Sequence, residues 1–248
     1  MKTFVIANQK GGVGKTAIAC HLTFFLHERG YKVLHVDLDP QANGSKTLSA
    51  HKSGITASQL FNAEPLSIAQ SKSGLTLIEA DAGLTQVERA ENKVIATFHS
   101  QLAALAPQFD YCVIDTAPTF GLRMTAALIA GNFVLSPIEL EGYSIDGITS
   151  MIKAFQGIKQ KYNPGLKFLG MLPNRYSAVS PAQKLALKEL LPKYASYIVP
   201  AKIPMRSAIS EALNLGVPVW RLDKSSARDA GKEFKAVLDL VIQRSESQ

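Results

Sequence analysis

Residues 8–17 read NQKGGVGKTA and hold two lysines, Lys10 and Lys15, in a loop made largely of glycine. The chemistry this suggests is phosphate binding. Glycines let backbone N–H groups turn inward against phosphate oxygens, and a helix starting directly after the loop adds partial positive charge. In the common pattern G-x-x-x-x-G-K-[ST], Gly14, Lys15 and Thr16 fall in register. Lys15 would reach the β- and γ-phosphates of a nucleotide, and the Thr16 hydroxyl would ligate Mg2+. Gln9 stands where the pattern has its first glycine, and Lys10 is a cation the pattern does not require.

Two acidic motifs complement the loop. YCVIDTAP puts Asp115 at the C-terminal end of an apolar strand, the edge at which open α/β sheets bind ligands. An aspartate there is a usual Mg2+ partner, directly or one shell out. VDLDPQ offers Asp37 and Asp39 at the end of another strand. Alternation points both the same way, with Asp39 further out, where strand gives way to loop. Asp39 is therefore the candidate to position an attacking water and, with Thr16 and Asp115, a metal-site residue; Asp37 supports the loop. A strand-end aspartate standing alone also serves as a turn or helix cap.

The elements that must position these residues alternate along the chain. Strands are expected at 2–8, 32–39, 75–81, 111–116, 132–138 and 167–173. Helices are expected at 16–30, 85–106, 122–130, 144–161, 181–195, 207–216 and 226–244, with Gly30 ending the first. Apolar strands separated by helical segments predict an α/β fold: a single doubly wound, mainly parallel sheet with helices on both faces. Residues 43–74 are the least regular and read as a loop-rich excursion. No Pro/Gly/Ser linker divides the chain, so residues 1–248 are expected to form one domain.

Composition narrows the function classes. The 248 residues are 46% hydrophobic, ordinary for a globular protein, without an apolar run long enough to span a membrane. Only two cysteines occur, Cys20 in a helical segment and Cys112 in a buried strand, which suits a reducing cytoplasm and small core hydrophobes. Charge is divided unevenly. Residues 1–148 hold 11 Lys and Arg against 13 Asp and Glu, whereas residues 149–248 hold 16 against 7. A solvated basic surface and a face that binds a polyanion such as DNA backbone both fit that +9 balance.

KGGVGKT, VDLDPQ, VIDTAP and IPMRSAISEALNLGVPVW together resemble the ParA group of deviant Walker ATPases, which includes the MinD-type proteins. ANQKGGVGKT, VDLDPQAN, VLSPIELEGYSI, FLGMLP and GVPVW are most similar to the short IncC-type plasmid partition ATPases. The likeness covers nearly the whole chain and is weakest at 46–74 and 85–108. It implies ATP and Mg2+ as ligands, slow ATP hydrolysis, and a nucleotide site running from Lys10 through Gly11, Gly12, Val13, Gly14, Lys15 and Thr16 to Ala17. It makes Lys10 the signature residue, which crosses to a partner's phosphates when two protomers close over two ATP molecules. Base contacts would come from Asn174 and the loop around Pro204. Two departures, Ala17 where a second Thr is frequent and DTAP where DxPP is usual, remove no named contact.

The resemblance also implies a homodimer that binds nonspecific DNA in its ATP state, with Arg206, Arg221, Lys224 and Arg228 as candidates. A ParB-type centromere-binding protein would stimulate turnover, because no arginine finger or glutamine stands in the catalytic motifs. The chain starts at its first strand, which argues against a built-in operator-binding unit. Cytoplasmic, nucleoid-associated and membrane-free behaviour is expected. Three rivals remain open: a MinD-like membrane switch, disfavoured by the polar tail QRSESQ; an iron–sulfur reductase, disfavoured by the cysteine positions; and the same switch positioning a non-DNA cargo.

Overall fold

The apolar runs become strands because both faces of each are covered, so near-continuous hydrophobic sequence is stable only in the sheet interior. The computed structural model describes residues 1–68, 73–141 and 145–247. The GYS of VLSPIELEGYSI with the first position of the 144–161 helix, part of the 43–74 excursion, and the last residue of the QRSESQ tail lie outside the described residues.

Among the described residues the strands are β1 (Lys2–Ile6), β2 (Val33–Asp37), β3 (Lys52–Thr56), β4 (Leu75–Glu79), β5 (Tyr111–Asp115), β6 (Phe133–Ile138) and β7 (Lys167–Pro173). They form a single parallel sheet in the order β3-β4-β2-β5-β1-β6-β7. The helices are α1 (Lys15–Glu28), α2 (Asn43–Thr47), α3 (Leu84–Val87), α4 (Lys93–Leu105), α5 (Leu122–Ala130), α6 (Ile145–Lys161), α7 (Pro181–Tyr194), α8 (Ser207–Asn214) and α9 (Ser225–Glu246). The doubly wound α/β architecture is as the alternation predicts.

Strand periodicity sorts the core into two layers. Val5, Val36, Ile114 and Val134 pack with Phe98 of α4, Met124 of α5 and Phe155 of α6. Phe4, Ile6, Val33, Val113 and Leu135 face the other way, against Leu22 of α1, Ala212 of α8 and Phe234 of α9. Cys20 and Cys112 are buried and free, and burial pushes both thiols up. They behave as core hydrophobes rather than thiolates.

Two expectations are corrected. The helix expected over 85–106 is broken into α3 and α4. The break follows Glu88, whose carboxylate turns away to receive the Leu122 N–H and pair with Arg123. The excursion at 43–74 contains α2 and the edge strand β3, which joins β4 with a register shift between Lys52 and Thr56. The KSGIT sequence hides that strand, because only Ile55 is buried and glycine interrupts it.

Candidate functional site

Parallel register aligns the C-terminal ends of β1, β2 and β5, pairing Ile6 with Asp115 and Asp37 with Asp115. The glycine loop leaves β1 at this edge. Asn8, buried behind the loop, donates to Ser136 Oγ and the Pro137 carbonyl, and its own Oδ1 accepts the Lys10 N–H at 2.8 Å. Asn8 thus sets the loop's entry, a role the glycine pattern does not signal. Gly12 and Gly14 have φ of 76° and 89°, the left-handed region that favours glycine. Gly14 precedes α1 directly, so the first-turn N–H groups of α1 open toward the loop.

The two lysines lie in different surroundings. Lys15 is buried, its ammonium donating to the Lys10 carbonyl at 3.2 Å. Burial lowers its pKa, while the charges of Asp115 and Asp39 oppose that shift. Lys10 is half-buried, and its ammonium donates to the Glu141 carbonyl at 2.9 Å. One cation points inward to the acidic edge, and the other is held against the loop after β6.

The carboxylates divide similarly. Asp115 is fully buried, and neither oxygen has a partner of ordinary hydrogen-bond geometry. Burial first, and the neighbouring Asp37 charge second, push its pKa well above the usual range; the nearby Thr16 hydroxyl and Lys15 oppose this. Asp37 is satisfied: its Oδ2 accepts from the Ser45 N–H and hydroxyl at 2.7 Å each, and its Oδ1 from the Asp39 N–H at 3.1 Å. Burial raises its pKa as well, with the Ser45 bonds opposing. Asp39 is half-buried at the start of a turn whose third following residue, Ala42, has a left-handed φ of 55°. Its Oδ1 accepts the Gln41 N–H at 3.0 Å.

An orphaned, buried carboxylate beside a threonine hydroxyl suits a hydrated divalent cation. Among the described residues no group of three His, Cys, Asp or Glu side chains could hold a metal by itself. That suits Mg2+, which binds through one or two carboxylates together with phosphate and water.

A cavity of about 260 Å³ opens beside the loop, lined by Gly14, Ala17, Asn174, Pro204, Arg206 and Phe234 among others. Asn174 and Pro204 are thus brought together next to the phosphate loop. The Asn174 amide also donates to the Val13 carbonyl at 2.7 Å, so it braces the loop as well as facing the cavity. Arg175, not singled out from sequence, donates to the Gly12 carbonyl at 3.2 Å with a left-handed φ of 54°.

The basic candidates lie apart from the phosphate loop, with one exception. Arg206 lines the cavity and forks onto Glu233, at 2.7 Å through its closer amine. Arg221 pairs with Glu28 at 2.6 Å, Lys224 with Glu211, and Arg228 with Asp223 at 3.5 Å. Each has an acidic neighbour that counting charge along the chain does not reveal.

A phosphate loop of this shape on a parallel sheet defines a nucleotide-binding α/β protein, and the comparisons specify which. The sequence profile of a family described as an AAA domain matches residues 1–168. The chain belongs to the ParA/MinD family of P-loop ATPases. It is 45% identical to Protein IncC of Escherichia coli over 257 aligned residues, covering 99% of this chain and 70% of that protein. It is 28% identical to the chromosome partitioning protein ParA of Myxococcus xanthus, covering 89% of this chain and 81% of the relative. Among solved structures, the ATP complex of a Cyanothece McdA variant superposes with a TM-score of 0.81 at 26% identity, covering 97% of this chain and 96% of that one.

Proposed function

We propose that this protein is a partition-type ATPase: an ATP- and Mg2+-dependent dimerising switch that binds DNA without sequence preference and hydrolyses ATP slowly. The observation that carries the reading is the division of labour between the two lysines. Lys15 sits inside the acidic edge of its own chain, whereas Lys10 lies outward against the Glu141 carbonyl.

ATP would occupy the loop from Lys10 to Ala17, its base in the cavity bounded by Asn174 and Pro204. Loop N–H groups and the Lys15 ammonium hold the phosphate chain. Thr16, Asp115 and Asp39 would hold Mg2+, which offsets phosphate charge and polarises the γ-phosphoryl group when bound. Asp39 orients the attacking water, and its half-buried place at the loop start suits that task. Lys10 leaves Glu141 and reaches the phosphates of a second copy. A cation there offsets charge that would otherwise hold two nucleotide-loaded protomers apart. ADP lacks the γ-phosphate and releases the dimer, a differential-affinity switch.

Arg221, Lys224 and Arg228 fall close together at the start of α9 and the turn before it. Their ion pairs are surface pairs of small net worth. DNA phosphates can therefore displace the acidic partners. Arg206, at the nucleotide cavity, would couple occupancy of that cavity to the same region. A ParB-type protein is the activating partner, and the protein acts in the cytoplasm on the nucleoid. Among the described residues no helix is long and apolar enough to cross a membrane.

The test is retention of unrelated DNA duplexes by the purified protein with ATP, with ADP and without nucleotide, at two salt concentrations. Retention only with ATP, falling steeply with salt and indifferent to sequence, supports the reading. Equal retention in all three states contradicts the switch, and ATP-dependent lipid binding instead of DNA retention contradicts the partition role.

A further inference from the structure

Among the described residues, the most deeply buried ion pair lies outside every motif that pointed to the nucleotide. Arg123, on the first turn of α5, has only 7% of its side chain exposed and donates through Nε to Glu88 Oε1 at 2.6 Å. Glu88 Oε2 accepts the Leu122 N–H at 2.8 Å, so the carboxylate also caps α5 from a distant segment. The approach is so close that a Cβ on Gly121 would fall 2.0 Å from Glu88 Oε2, so any larger residue at 121 would displace the Glu88 carboxylate. The remaining reach of Arg123 goes elsewhere: NH1 donates to the Leu38 carbonyl at 3.1 Å.

That carbonyl belongs to the peptide bond that leads into Asp39. The other edge of the same peptide, the Asp39 N–H, donates to Asp37 Oδ1. One peptide plane is thus held at its oxygen by a buried guanidinium and at its N–H by a buried carboxylate. Such a clamp fixes the direction in which Asp39 leaves the strand. Stability alone does not account for it, because a buried ion pair is often no better than an apolar replacement.

We infer that Arg123, locked in place by Glu88, is a positioning residue for hydrolysis that aims Asp39. Glu88 and Arg123 thereby also tie the loop after Asp115 to the loop that carries Asp39. The inference rests on the reading of Asp39 as the group that orients water. Arg123 acts through the Leu38–Asp39 peptide.

The experiment compares ATP affinity and single-turnover hydrolysis in the full chain for three variants. Arg123→Met combined with Glu88→Gln leaves no unpaired buried charge and keeps an oxygen for Leu122. Arg123→Lys keeps the ion pair, but a single ammonium lacks the fork that serves Glu88 and Leu38 together; it remains informative should the double variant fold poorly. Asp39→Ala reports on the underlying reading. Expected are ATP affinity within about twofold of wild type and hydrolysis slower by roughly 10- to 100-fold, the range a misplaced group costs. Amide exchange of residues 38–42 should rise in the Arg123 variants, without a matching rise elsewhere in the sheet. Slow hydrolysis in Asp39→Ala with normal hydrolysis in both Arg123 variants overturns the role of Arg123 and leaves that of Asp39 standing. Normal hydrolysis in Asp39→Ala overturns the role of Asp39 and, with it, this one. Loss of affinity and hydrolysis in equal measure in the Arg123 variants also overturns the inference.

Discussion

Replacing Gly14 by alanine separates two costs that the glycine loop combines. The first is backbone conformation: φ is 89° at Gly14, and a Cβ in the left-handed region costs about 1–2 kcal/mol. The second is contact. An added Cβ would lie 2.1 Å from the Asn174 amide nitrogen, which is bonded to the Val13 carbonyl and buried. Asn174 must move, leaving a buried carbonyl and amide without partners, at about 1–3 kcal/mol. Gly12 is the internal control, with φ of 76° and nothing within 4 Å of its added Cβ. Gly12→Ala should meet only the conformational cost. At roughly 2–4 °C per kcal/mol for a chain of this size, Gly14→Ala should melt below Gly12→Ala by about 2–12 °C. Thermal denaturation measures this directly, and binding of a fluorescent ATP analogue should weaken more for Gly14→Ala. Equal melting of the two variants would refute the bracing role given to Asn174.

Further outcomes follow from the same geometry. Lys15→Ala should abolish ATP binding, since it removes the buried cation of the acidic edge, and normal affinity for labelled ATP would sink that assignment. Glu28→Gln releases Arg221 and should raise ATP-dependent DNA retention by roughly two- to fivefold, the worth of a surface pair, whereas Arg221→Ala should lower it and flatten its salt dependence; unchanged retention in both removes Arg221 from the DNA face. His21 and His35 are buried and held neutral, burial lowering their pKa to about 4 and about 3 from 6.5. The unfolded chain takes up these protons first, so each histidine should cost about 2 kcal/mol of stability between pH 7 and pH 5. Asp37 and Asp115 oppose this, because raised carboxyl values favour the native state on acidification. His35→Phe should therefore be less sensitive to acid than wild type in urea titrations at the two pH values, and an identical loss in both would contradict the neutral assignment.

The sheet was readable because its strands are buried on both faces, so KTFVI, VLHVD and YCVID announce themselves as apolar runs. KSGIT did not, being a half-exposed edge. The phosphate loop was readable because Gly14, Lys15 and Thr16 must stand at fixed spacing to serve one phosphate chain. Asn8, Arg175 and the Glu88–Arg123 pair were not, because they act through contacts across 34 to more than 160 positions of chain. The acidic partner of Arg221 is hidden for the same reason: Glu28 is remote in sequence and near in space. Charge summed along a segment says how many cations it holds, but not which are already engaged.

The claim on which the account depends is that Lys15 binds nucleotide within one chain and Lys10 completes the site of another. The direct measurement is molar mass in solution, by light scattering, for wild type and Lys10→Ala with a slowly hydrolysed ATP analogue and with ADP. Wild type should be dimeric with the analogue and monomeric with ADP. Lys10→Ala should still bind the analogue yet stay monomeric. A Lys10→Ala protein that dimerises as wild type does would contradict the claim.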